Sequence, residues 1–186
     1  MIYIKDNFLE KDLLQTILKG LNNFEEFKTQ NKSFWIKKSS PEFIDYICSE
    51  LEIIENNDIE PILGFFREAK KNQDNTWRIH NDSIINNEQP DRAIVLYLSK
   101  NNLKKLNGTA FWEHNEYGYK YKNSNVKEFN RMLIEDAEDI NKWTLRSIIG
   151  HKQNRLISYP CNYFHSKYPN EFLNSRKVFV MFYKVK

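Results

Sequence analysis

The chain has 186 residues, 40% of them hydrophobic and 15% aromatic, which suits one domain of ordinary size with a substantial core. Against 25 acidic residues stand 28 basic ones, and the net charge of +3 does not argue for a nucleic-acid partner. No basic-then-apolar leader and no run of about 18 apolar residues occurs, so a soluble, cytoplasmic protein without membrane association is expected. The two cysteines, Cys48 and Cys161, lie outside any metal-ligand spacing and argue against a structural zinc site, and nothing suggests an oxidising compartment.

The opening IYIKD alternates and predicts a strand. FLEKDLLQTILKGL then carries Phe8, Leu9, Leu13, Leu14, Ile17, Leu18 and Leu21 at the spacing of a helix face, with Gly20 near its end. A second helix is predicted in PEFIDYICSELEII, where Pro41 opens the first turn and Phe43, Ile44, Ile47, Leu51 and Ile54 share one side. From residue 61 the texture changes to short β-branched and aromatic runs: PILGFFREAK, TWRIH, RAIVLYLS, TAFWEH, WTLRSIIG, RLISYP and KVFVMFYKV. Turn signals such as NNLKKLNG and GHKQN separate them. One helical insertion, at about 115–142, places Val126, Phe129, Leu133, Ala137 and Ile140 on a single face and is expected to cover the strands. The prediction is one domain over 1–186. An N-terminal strand and supporting helices (1–60) precede a jelly-roll core (61–186), making a mostly β fold with flanking helices (α+β).

Residues 77–82 read WRIHND. Alternate positions of an extended chain point the same way, so His80 and Asp82 can converge on one point from backbones about 6–7 Å apart. His-x-Asp alone is a common tripeptide and needs partners. Of the other histidines, His114 (FWEHNEYGY) and His151 (GHKQN) read as structural. His165 instead follows RLISYP and the short turn CNYF, and Arg176 heads the final strand. If those two strands are neighbours, His165 and Arg176 open onto one interior. Two imidazoles and a carboxylate are the ligand set of facial-triad non-haem Fe(II) sites, which leave coordination positions open.

At these segments the sequence resembles the superfamily of 2-oxoglutarate and Fe(II)-dependent oxygenases, in its prolyl hydroxylase-like branch, over roughly residues 61 to 184. The resemblance rests on WRIHND, DRAIVLYLSKNNLKKLNGTAFWEH, NRLISYPCNYFHSKYP and NSRKVFVMFY in that order. It implies a double-stranded β-helix with His80, Asp82 and His165 as iron ligands. It also implies that Arg176 partners the distal carboxylate of the cosubstrate 2-oxoglutarate, with the Tyr97 hydroxyl on that same carboxylate. The implied reaction consumes O₂ and converts 2-oxoglutarate to succinate and CO₂ while a substrate is hydroxylated; the presence of Asp82 argues against a halogenase. An arginine suits the cosubstrate because its planar fork keeps its charge when desolvated.

Two details depart from the family pattern. Asn107-Gly108 stands where a glycine pair is expected, and Lys177 adjoins Arg176, so either cation could hold the carboxylate. Neighbours on a strand face opposite ways, and Val178, Val180 and Phe182 continue the Arg176 face. The substrate is left open between a peptidyl residue, a small molecule and, with less support, a nucleobase. KNNLKK and KYK read as solvated basic faces. A jelly-roll module that binds a ligand or partner without catalysis is the rival reading.

Overall fold

The computed structural model of the chain describes residues 1–29, 32–70, 76–100, 106–119, 126–170 and 175–186. Most of KNNLKK, all of KYK and the side chains of Val126 and Phe129 lie outside the described residues. In chain order the elements are β1 (Tyr3–Lys5), α1 (Lys11–Gly20), β2 (Glu25–Thr29), β3 (Lys32–Lys38), α2 (Pro41–Glu55), β4 (Ile59–Ala69), β5 (Arg92–Tyr97) and β6 (Gly108–His114), then α3 (Val126–Glu135), a 3₁₀ turn (Ile140–Lys142), β7 (Trp143–Gly150), β8 (Leu156–Pro160), β9 (His165–Tyr168) and β10 (Arg176–Val185). They form a seven-stranded sheet ordered β1-β8-β5-β10-β4-β3-β2 and a three-stranded sheet ordered β7-β6-β9, every pair antiparallel. This is the expected double-stranded β-helix.

Strands β5 and β10 run through the middle of the large sheet, and their sequences show why. RAIVLY is buried at every position, because Ala93, Val95 and Tyr97 face the space between the sheets while Ile94 and Leu96 face the helices. β10 divides the same way: Val178, Val180 and Phe182 turn inward, and Phe179, Met181 and Tyr183 turn outward. A strand covered on both faces reads as a continuous apolar run rather than an alternating one. The outer face is covered by α1 and α2. α2 starts at Ser40, whose hydroxyl accepts from the Phe43 backbone N–H at 3.3 Å, with Pro41 at the first turn and Asn56 left-handed at its end. Ile47 and Leu51 of α2 are fully buried in this layer, each contributing about 1.5–3 kcal/mol by leaving water.

Behind the small sheet, Ala110, Trp112, Met132, Trp143 and Phe164 form a separate core with Ile79. Met132 lies in α3, so the insertion covers this sheet. Both cysteines are buried free thiols. No helix among the described residues is long and apolar enough to cross a membrane.

Four features go beyond or differ from the expectation. Between the two predicted helices lies a hairpin, β2–β3, that adds two strands to the edge of the large sheet beyond β4. Its charged sequence hides it, since edge strands carry lysines that discourage further pairing. TWRIH forms only a single bridge, His80 to His165, because Arg78 takes a left-handed conformation (φ 50°). His165 itself begins a short strand, β9, paired with β6. Finally, β8 and β10 are not neighbours: β5 lies between them, so His165 and Arg176 meet across the sandwich instead of along adjacent strands.

Candidate metal centre

Between the sheets opens a cavity of about 460 Å³, within the range of about 300–1,000 Å³ usual for small-molecule sites. At one point on its wall the side chains of His80, Asp82 and His165 converge, with one ligand atom from each lying within 4.8 Å of the others. His80 Nε2 is 3.6 Å from Asp82 Oδ1, and His165 Nε2 is 3.2 Å from Asp82 Oδ2. Donors bound at right angles to an octahedral ion, each at about 2.1 Å, lie about 3 Å apart, so these separations need only a small contraction.

The backbone sets this convergence. His80 and His165 form a reciprocal pair of hydrogen bonds, at 3.0 Å and 2.8 Å, and the Asp82 N–H donates to the Cys161 carbonyl at 2.8 Å. WRIHND is thereby stitched alongside the β8–β9 connection, and both imidazoles come from adjacent backbones. Each ring is also oriented through its other nitrogen. Nδ1 of His80 lies 2.8 Å from the Arg78 carbonyl, and Nδ1 of His165 lies 3.0 Å from that of Tyr163. A carbonyl only accepts, so Nδ1 carries the proton, and in the neutral rings the Nε2 lone pairs are left facing Asp82, the tautomer a metal requires.

Electrostatics agree with the geometry. Burial, then the neighbouring His165, pushes His80 down to about 4, so it is neutral at pH 7; the exposed part of its ring faces the cavity. Burial opposes charge on His165 as well, but the attraction of Asp82 and the hydrogen bond to it prevail and raise its pKa. For Asp82, burial is outweighed by His165, His80 and Arg67, and the carboxyl is held below its usual range. The group is thus an ionised carboxylate between two imidazoles, a negative charge that favours a cation at the point where they converge.

The same cavity is lined by Arg176 and Thr109. Arg176 lies over the Tyr97 ring, 5.2 Å from its centroid, and 3.5 Å from Thr109 Oγ1; Tyr97 Oη and Thr109 Oγ1 are 2.7 Å apart. Burial lowers the Arg176 pKa, opposed by Tyr97 and Tyr159, but a guanidinium stays charged at neutral pH. Lys177 points the other way, its Nζ donating to the Leu21 carbonyl at 2.7 Å. The register read from Val178, Val180 and Phe182 therefore holds, and all three line the cavity with Arg176.

Two cavity residues escaped the sequence reading. Thr109 is buried beside Tyr97 because Gly108, before it, lets β6 approach β7: a Cβ at Gly108 would lie 2.0 Å from the Ile149 carbonyl oxygen. Tyr159 of β8 also lines the cavity, and its ring is 4.8 Å from that of His165. The glycine leading β6 was the signal available for Thr109; Tyr159 carried none. His114 and His151 are structural as read. His114 is buried, with Nε2 3.1 Å from Asp136 Oδ2. His151 is also buried, its Nε2 donating to the Ser99 carbonyl at 2.8 Å, and its ring lies 4.7 Å from that of Tyr97.

No protein-family model matches the sequence, and no curated protein does. Solved structures do match. HygX from Streptomyces hygroscopicus, with nickel, 2-oxoglutarate and hygromycin B bound, is similar at TM-score 0.64 and 10% identity, over 100% of this chain and 83% of that one. A prolyl-4-hydroxylase from Pseudomonas putida matches at TM-score 0.57 and 12% identity, over 100% and 92%. A prolyl hydroxylase from Trichoplax adhaerens, in complex with a hypoxia inducible factor peptide fragment, matches at TM-score 0.57 and 15% identity, over 99% and 83%. At such identities the likeness establishes the fold, the double-stranded β-helix that these oxygenases use.

Proposed function

We propose that the protein is a 2-oxoglutarate and Fe(II)-dependent oxygenase of the hydroxylase type. The observation that carries the reading is the convergence of His80, Asp82 and His165 with both Nδ1 atoms anchored on backbone carbonyls, in one cavity with the half-buried Arg176. These three side chains would hold Fe(II), a borderline ion suited to imidazole and carboxylate. The iron, when bound with 2-oxoglutarate and O₂, supplies the oxidative chemistry that hydroxylates a substrate and releases succinate and CO₂.

The chain's own groups bind and orient. Arg176 would grip the distal carboxylate of 2-oxoglutarate through its guanidinium fork, with Tyr97 and Thr109 offering hydroxyls beside it. Val95, Val178, Val180 and Phe182 keep that end of the cavity dry, which strengthens each charged contact. The relatives in fold include one with a peptide bound and one with hygromycin B, in keeping with a peptidyl or small-molecule substrate here.

The test is equilibrium dialysis of Fe(II) against chelator-treated protein under nitrogen, followed by 2-oxoglutarate titration and assay of succinate on admitting air. Retained iron, a weak visible charge-transfer band with 2-oxoglutarate, and succinate that depends on both are expected. No retained iron and no succinate would favour the non-catalytic binding module.

A further inference from the structure

Just before the first metal ligand the backbone takes an unusual turn. Arg78 has φ 50°, in the left-handed region that residues other than glycine and asparagine enter only where their surroundings hold them. The turn carries the Arg78 carbonyl back to the residue two ahead, where it accepts from His80 Nδ1 at 2.8 Å. That bond leaves the His80 lone pair on Nε2, the nitrogen that faces Asp82.

Two hydrogen bonds hold the turn, and both come from the segment that follows α3. The Arg78 N–H donates to Glu138 Oε2 at 3.1 Å, and the next N–H, of Ile79, donates to the Ala137 carbonyl at 3.0 Å. The second tie joins backbone to backbone, whereas the first depends on one side chain. Glu138 is exposed, so packing does not demand a carboxylate there, and among the described residues its side chain makes no other hydrogen bond.

Glu138 can support the turn because the small sheet fixes the chain on either side of it. Two residues earlier, Asp136 Oδ2 lies 3.1 Å from Nε2 of His114 in β6, and the Asp136 carbonyl accepts from Trp143 Nε1 at 2.7 Å. Nδ1 of His114 accepts from the N–H groups of Glu116 and Tyr117, which puts the ring proton on Nε2, directed at Asp136. On the other side, the Asp139 N–H donates to the Asp136 carbonyl at 3.1 Å, and its carboxylate accepts from the Asn141 N–H at 3.1 Å.

Resting on the oxygenase reading, we infer that Glu138 is a positioning residue of the metal centre: it holds the left-handed turn whose carbonyl orients the His80 ring, and so presents Nε2 to the metal. Without that acceptor Arg78 relaxes toward negative φ and its carbonyl leaves Nδ1. The ring then rotates more freely and shares its proton between the two nitrogens. Groups that orient a ligating histidine change metal affinity without touching the metal.

The test compares three variants with the parent. E138A removes the acceptor, and E138Q keeps an acceptor oxygen while losing the charge. E135A removes a carboxylate of α3 that pairs with Arg131. In metal-free protein at neutral pH, with histidine labelled for nitrogen NMR, the ring shifts report the His80 tautomer, assigned by the signal lost in H80Q. Parent and E138Q are expected to carry the proton on Nδ1, and E138A to show a mixture. In cobalt(II) titrations followed by the visible bands, E138A should bind about five- to tenfold more weakly than the parent, the worth of about one hydrogen bond. E138Q and E135A should stay within about twofold. The inference is overturned if E138A keeps the parent's tautomer or its cobalt affinity, or if E138Q or E135A is weakened as much, which would make charge the cause. A circular dichroism spectrum altered in E138A overturns it too, since Glu138 would then serve the fold at large. Failure of the parent to bind cobalt(II) counts against the proposed function instead, and the metal-free arm still decides the role of Glu138.

Discussion

Replacing Arg176 by Lys keeps a positive charge at the base of the cavity and removes only the fork. Arg176 heads β10 on the face of Val178, Val180 and Phe182, over the Tyr97 ring and near Thr109, so its guanidinium reaches the cavity from a fixed direction. A lysine there presents one ammonium on a flexible stem and loses the second of two parallel hydrogen bonds to a carboxylate. Hydrogen bonds to charged groups are worth about 1.5–3 kcal/mol, and Arg176→Lys should therefore weaken 2-oxoglutarate binding by roughly ten- to a hundredfold. Iron affinity should barely change, since Arg176 is not among the three proposed ligands. Lys177→Gln is the control. That side chain lies on the opposite face, bonded to the Leu21 carbonyl and 4.0 Å from Glu68, and its loss should leave cosubstrate binding intact. The assay is calorimetric titration of 2-oxoglutarate into the two variants and the parent, each loaded with manganese(II). Parent-like affinity in R176K together with weakened affinity in K177Q would refute the reasoning, because it would require β10 to be rotated by one residue, turning its inward side chains outward.

Asp82→Ala should lower Fe(II) retention by more than about a hundredfold, because one of the three proposed ligands is lost; metal analysis after dialysis checks this, with circular dichroism confirming the fold. His151 is pushed down by burial from 6.5 to about 4, so the unfolded chain binds its proton first as pH falls. The stability held by the neutral ring is complete above about pH 6.5 and falls away down to about 4, a loss of roughly 3 kcal/mol. Urea unfolding across that range should show H151Q losing less than the parent, and equal losses would remove His151 as a cause. Gly108→Ala places a methyl 2.0 Å from the Ile149 carbonyl oxygen. It should cost about 1–3 kcal/mol in urea unfolding and, by displacing Thr109, weaken 2-oxoglutarate binding as well.

What the sequence determined by itself was whatever depends on near neighbours along the chain. Periodicity marked α1, α2 and most strands of both sheets; Ser40-Pro41 opened α2; two-residue alternation in β10 put Arg176 and Lys177 on opposite faces and chose the inward one. His80 and Asp82 stood out because a chelating pair two residues apart is a local pattern. Whatever joins distant segments depends instead on how the strands pair in space. The β2–β3 hairpin, with charged residues and no clean alternation, is a pair of strands only because β4 offers it an edge. His165 comes beside His80 through backbone bonds between segments 85 residues apart in the chain, and it faces Arg176 across a sandwich whose strand order places β5 between β8 and β10. Tyr159 lines the cavity and His151 is buried against Tyr97 for the same reason. Local sequence sets which face a side chain takes, whereas the pairing of sheets sets what that face meets. The stacking of Arg67 and Arg78 on Phe34 is the clearest instance, since these three residues lie in β4, just before the His-x-Asp pair and in β3, and only the folded sheet edge brings them to one ring.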